Sequence, residues 1–237
     1  MEIDIPNSLK LVEKAQYFIK KFEPNAYTKK YVIMNFCEVI ELTFHESYKL
    51  YQKYESQCIA RTIKEVLPED KSKTFTFNEV EKLSAKVGKI SIELEKSLSQ
   101  SRKNRAGRTF EIIVKKLLKI CGINSERVTN EYKKKGLRRL DLVVPDLLTA
   151  LNSPDSAHFL SLKTSLKDRW KLVIEDQKPG QRTHFLTLLQ HETLSSNIVE
   201  KIFNRGIILY IPDNIKTKEF KNDSRVRKLS ELPSKLN

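Results

Sequence analysis

The spacing of apolar residues divides this 237-residue chain into two regimes. Through the first hundred residues apolar side chains recur at three- and four-residue steps, and no glycine precedes Gly88, a pattern that predicts helices. In "YVIMNFCEVIELTFHESYKLYQKYE", Val32, Phe36, Val39, Ile40, Leu42 and Phe44 mark a mostly buried helix. Pro24 and Pro68 punctuate this region. From Pro68, "PEDKSKTFTFNEVEKLSAKV" predicts a loop and then a helix, with Asn78 as N-cap and Glu81 three residues on. Tyr48, Tyr51 and Tyr54 lie at helical spacing, which suits core packing or an amphipathic surface and also stacking on bases.

The segment "SLSQSRKNRAGR" (97–108), polar and basic with a single glycine, marks the change of regime. Next, "TFEIIVKKLLKICG" predicts a helix capped by Thr109, with Phe110, Ile113, Leu117 and Cys121 on one face. Glu111 falls in its first turn and Gly122 at its stop. A basic loop, "ERVTNEYKKKGLRR", leads to two strand patterns, "LDLVVP" (140–145) and "HFLSLKT" (158–164), joined by the turn-rich "DLLTALNSPDSA". Then "SLKDRWKLVIEDQ" reads as a helix with Trp170 in the core, and "GIILYIP" (206–212) as a buried strand ended by proline. This order predicts an α/β or α+β fold: a mixed central sheet flanked by helices, with a helical N-terminal region over 1–98 and the core over 99–237.

Charge adds a direction. The formal net charge is +14, and residues 101–141 hold 13 Lys and Arg against 4 Asp and Glu, whereas residues 1–100 hold 16 against 15. A basic cluster of that density suits a polyanion, although a solvated basic loop has the same composition. No apolar run is long enough to span a bilayer, and "MEIDIPNSLK" lacks a secretory pattern. Cys37, Cys58 and Cys121 are odd in number and far apart, which predicts reduced thiols of a cytoplasmic protein rather than a disulfide framework or a zinc site.

Two strands each carry one charge in an apolar run: Asp141 between Leu140 and Leu142, and Lys163 after Leu162. A buried charge is tolerated when it is paired or binds something. A carboxylate and a lysine on adjacent strands are the elements of metal-dependent phosphodiester cleavage, the loose PD-(D/E)xK pattern. The literal Pro145-Asp146 pair is a decoy, because proline ends the strand before Asp146. Ser161 stands two residues before the lysine, where that pattern has a carboxylate, so the second carboxylate must come from elsewhere.

In order along the chain, "SRKNRAGRTFE" (101–111), "LDLVVP" (140–145), "SLKTSLKDRWKLVIED" (161–176), "HFLTLL" (184–189) and "LYIP" (209–212) resemble the catalytic domain of type II restriction endonucleases of the EcoRII/PspGI/NgoMIV group. The resemblance covers roughly residues 100–237. It implies a permuted site: Asp141 as metal ligand, Lys163 as catalytic lysine, and a second metal carboxylate thirteen residues further on. Asp176 stands there, where the group usually has Glu, with Glu175 beside it as the alternative. Helix spacing puts Asp176 one turn from Leu172 and Val173 on the inward flank, and Glu175 one turn from Lys171 on the face bearing Asp168.

Glu111 matches the glutamate that accompanies the metal site; helix-dipole complementarity is its bland reading. Lys167, Asp168 and Arg169 match residues that read the CC:GG half-site. Arginine can bond guanine O6 and N7, and aspartate can accept from a cytosine amino group. Arg102, Arg105 and Arg108 are expected at DNA phosphates or a dimer partner.

The resemblance further implies Mg²⁺, duplex DNA, a homodimer matching a near-palindromic CCWGG or CCNGG site cut 5′ to the CC, and a cognate cytosine methyltransferase. It also implies nucleotide flipping at the central base. Two rivals stay open: a less specific nuclease of the same fold, of repair or junction type, and a sequence-specific DNA-binding protein whose nuclease site has decayed. An RNA-binding module is disfavoured, since no RNP-, KH- or double-strand-RNA motif appears.

Overall fold

In a computed structural model the described residues are 5–67, 74–166, 169–178, 180–189 and 193–236. Four helices come first: α1 (Ser8–Phe22), α2 (Lys29–Met34), α3 (Phe36–Val66) and α4 (Phe77–Cys121). The chain then alternates through β1 (Glu126–Arg127), α5 (Asn130–Lys134), β2 (Leu142–Val144), α6 (Leu147–Asn152) and β3 (His158–Lys163). It continues with α7 (Arg169–Glu175), β4 (Arg182–Thr187), α8 (Ser196–Phe203), β5 (Ile208–Ile211), α9 (Asp213–Glu219), β6 (Val226–Lys228) and α10 (Leu232–Leu236). The strands form one mixed sheet in the order β1-β2-β3-β4-β5-β6, antiparallel as far as β3 and parallel beyond it.

Alternation along each strand sends successive side chains to opposite layers. Leu142, Leu160, Leu162, Leu186 and Tyr210 pack with Phe36, Ile40, Phe110, Ile113 and Leu117 of α3 and α4. On the other face, Val143 and Phe159 meet Leu147 and Ala150 of α6, while Phe185, Leu209 and Ile211 meet Val173, Val199 and Ile202 of α7 and α8. The expected mixed sheet between helical layers is thus present, and the first core joins the N-terminal helices to the sheet.

Several local expectations need correction. Residues 97–108 are not a break: α4 runs through them for 45 residues. Leu98, Gln100, Arg102, Lys103, Arg105, Ala106 and Arg108 are good helix formers, enough to carry the helix past the serines, Asn104 and Gly107. Thr109 is therefore a buried interior residue rather than a cap, and Glu111 lies deep in the helix, where no N-terminal dipole acts on it. The capping box belongs to Thr76 and Glu79, two residues before the Asn78–Glu81 pair of the same spacing. Gly122 does stop the helix, in the left-handed conformation at φ 89°.

The supposed turn between β2 and β3 holds α6, N-capped by Asp146, whose carboxylate accepts from the Thr149 N–H at 2.7 Å. Asp146 is a helix cap beyond the strand, as its place after Pro145 implied. The sheet also has strands at β1, β4 and β6, which the hydrophobic pattern does not predict. β4 opens with Arg182, Thr183 and His184 and is buried on both faces after its first residue, so no alternation betrays it. Leu42, expected in the core, is 41% exposed.

A polar chain crosses the sheet within this apolar packing. His158 Nδ1 lies 2.9 Å from His184 Nε2, and His184 Nδ1 lies 3.3 Å from the Tyr210 hydroxyl. Burial, reinforced by the neighbouring His158, Arg227 and Arg182, holds the His184 pKa down to about 3. The native state therefore keeps this imidazole neutral while the unfolded chain protonates below its ordinary value. Stability from this residue is full above that value and declines as pH falls. Going from pH 7 to pH 5 should cost about 2 kcal/mol through His184, and His158, also lowered by burial, acts in the same sense. Urea unfolding at both pH values measures this, and His184→Gln should flatten the dependence; an unchanged slope would exclude the residue.

Candidate active site

The antiparallel pairing of β2 with β3 builds the site. Asp141 directly precedes β2, yet its N–H donates to the Leu160 carbonyl and its own carbonyl accepts from the Val128 N–H. This ladder fixes the backbone and aims the side chain at the end of β3. Asp141 Oδ2 accepts from the Leu162 N–H at 2.7 Å and from the Lys163 ammonium at 2.6 Å. Asp141 is only 7% exposed, and a carboxylate so buried persists because it has a backbone donor and a cation.

The pair opens onto a cavity of about 740 Å³. One face of α4 supplies Asn104, Gly107, Arg108 and Glu111, residues three and four apart that project together. Arg127 comes from β1, Arg138 and Arg139 from the turn before β2, and Arg169 and Leu172 from α7. Among the described residues eight cationic side chains line it against two carboxylates, Glu111 and Asp141. Such a cleft concentrates positive potential and attracts polyanions.

The two carboxylates differ in surroundings. Glu111 accepts from Arg108 at 2.7 Å and from Arg127 at 3.1 Å. Asp176, just past α7, does not line the cavity; its carboxylate lies 3.6 Å from Arg139 Nε. Glu175 is exposed. Ser161 is fully buried, and its hydroxyl donates to the Arg139 carbonyl at 2.9 Å. Arg139 itself has φ 58°, unusual for a residue with a side chain.

Arg169 reaches the cavity, whereas Lys167 and Asp168 lie outside the described residues. Arg108 lines the cavity, but Arg102 and Arg105 have partners within the chain. Arg102 pairs with Glu55 and Glu95, and Arg105 donates to the carbonyls of Pro6 and Ile5. Among the described residues no group of three or more His, Cys, Asp or Glu is placed to hold a metal. The two cavity carboxylates nonetheless suit a hard divalent cation, which commonly takes one or two protein carboxylates and completes its shell with water and substrate phosphate.

Sequence reasoning marked the basic loop as a block but missed the individual roles of Arg127, Arg138 and Arg139. Which of its alternating cations face inward depends on turns that the pattern does not encode. Positive φ at Arg139 has no sequence signal at all.

A mixed six-stranded sheet between helical layers in this order is the restriction-endonuclease-like fold. The chain belongs to the EcoRII C-terminal family, whose profile matches residues 72–231. The type II restriction enzyme SsoII of Shigella sonnei is 23% identical over 203 residues, a match covering 83% of this chain and 66% of SsoII. In fold, the chain superposes on metal-depleted Ecl18kI in complex with uncleaved DNA with a TM-score of 0.82 at 20% identity, over 98% of this chain and 78% of that one. A PspGI–substrate DNA complex gives 0.70 at 19% identity, covering 98% and 92%.

The buried ion pair carries a measurable coupling. A double-mutant cycle of Lys163→Met with Asp141→Asn should give about 1–3 kcal/mol in urea unfolding at neutral pH; a value near zero would mean the two groups are held independently.

Proposed function

We propose that the chain is a type II restriction endonuclease that makes Mg²⁺-dependent double-strand cuts in DNA at a CCWGG/CCNGG-class site, 5′ to the CC. The observation that carries this reading is the Asp141–Lys163 pair on adjacent strands at the wall of the cationic cleft. Asp141 would hold the cation with Asp176, or with Glu175 in its place, and Glu111 would accompany them. When bound, the cation supplies charge stabilisation at the scissile phosphate and a more acidic water. Lys163 orients the attacking water and offsets charge that develops on the phosphate. The cleft arginines hold the backbone on either side, which keeps the scissile bond in register with Asp141.

Arg169, with Lys167 and Asp168, reads the half-site; the place of Arg169 at the cavity supports this. Arg108 contacts phosphate or the second subunit, and Arg102 and Arg105 would do so only by sharing or leaving their present partners. A homodimer supplies one reading segment per half-site. The functional partner is a cognate cytosine methyltransferase, and the setting is the cytoplasm; among the described residues no helix is long and apolar enough to cross a membrane.

One observation favours a second reading, a binding protein with a decayed nuclease site. Asp stands at 176, where the group uses Glu, and it is turned to Arg139. Digestion of a plasmid carrying CCWGG and CCNGG sites separates the readings. Discrete Mg²⁺-dependent fragments are expected; a smear supports the less specific nuclease, and intact plasmid supports binding alone. Lys163→Ala should lower the cleavage rate by about 10³-fold or more while sparing site-specific binding in Ca²⁺. Arg169→Ala should cost about 1–3 kcal/mol and relax preference at a single base pair, read by competition binding.

A further inference from the structure

One side chain, that of Arg139, meets both Asp176 and the cleft. Arg139 lines the cavity and also meets Asp176 Oδ2 at 3.6 Å, whereas Asp176 is not among the lining residues. The backbone of Arg139 is pinned by the hydroxyl of fully buried Ser161 and held at φ 58°. Its position is therefore set by β3, the strand that also ends in Lys163. The ion pair is loose and its arginine side chain is 53% exposed, so it contributes little and is readily exchanged. A DNA phosphate entering the cleft offers the same guanidinium shorter, bidentate hydrogen bonds.

We propose that Arg139 is a phosphate-operated latch on Asp176. Without DNA its guanidinium holds the carboxylate aside; with DNA the phosphate takes the guanidinium, and Asp176 is released to complete the cation site with Asp141. Ser161, standing where the common nuclease pattern has a carboxylate, is the positioning residue of the latch. Cation binding is thereby coupled to substrate binding through one exchange of partners. The inference rests on the nuclease reading above and assigns a role to two residues outside its catalytic set.

Mn²⁺ binding to the DNA-free full chain, followed by electron paramagnetic resonance of the free ion, tests the latch. Arg139→Gln should bind Mn²⁺ about tenfold tighter than the unaltered chain, since it frees a carboxylate and removes a cation. Arg138→Gln removes the same charge from the same cleft and should gain only about twofold. Adding Asp176→Asn to Arg139→Gln should return affinity to the Arg138→Gln level. Arg139→Gly, which adopts positive φ at no steric cost, repeats the measurement should the glutamine variant melt early. Equal gains in the Arg138 and Arg139 variants, no gain, or a gain that survives Asp176→Asn would overturn the latch. An unaltered chain that cuts no DNA sinks the nuclease reading instead, so the two failures are distinguishable.

Discussion

Burial of the Asp141 carboxylate at the junction of β2 and β3 is the constraint around which the rest is arranged. A charge so little exposed must be compensated from several directions. The Leu162 N–H and the Lys163 ammonium do so only when β3 is in its observed register with the residues before β2. A shift of one residue would send Lys163 to the opposite face, into the apolar layer of α3 and α4. The polar pair and the apolar alternation therefore enforce the same register, and the chemistry of the site is inseparable from the folding of the strand pair.

The positive charge is divided by role. Along α4, Arg102 and Arg105 satisfy a buried carboxylate and two backbone carbonyls, while Arg108 and Lys103 face the cleft. A formal charge of +14 thus overstates what is offered to a polyanion. Among the described residues the cleft gathers eight cations around two carboxylates, a crowding of like charge that a polyanion would neutralise.

The sequence made the fold class legible because buried strands such as "GIILYIP" and the amphipathic face of Phe110, Ile113 and Leu117 follow simple periods. Asp141 and Lys163 were legible as charges in apolar runs, and the place of Asp146 beyond the strand was legible through its proline. Other features were not. Polarity over 97–108 suggests a change of regime, although polar residues can continue a helix. β4 was hidden by its polar start. The contact of Arg139 with Asp176, and the hydroxyl that pins it, depend on a left-handed residue in a turn, which no pattern of apolar positions specifies.

The uninterrupted α4 has a mechanical meaning. Arg105 grips the backbone before α1, and Arg108, three residues further on, lines the cleft. Roughly 4.5 Å of rigid helix separates the two. No loop lies between them, so the grip on the segment before α1 and the cleft wall belong to one continuous helix. The place of Arg108 at the cleft is therefore fixed by the same helix whose core face packs against α3 and the sheet.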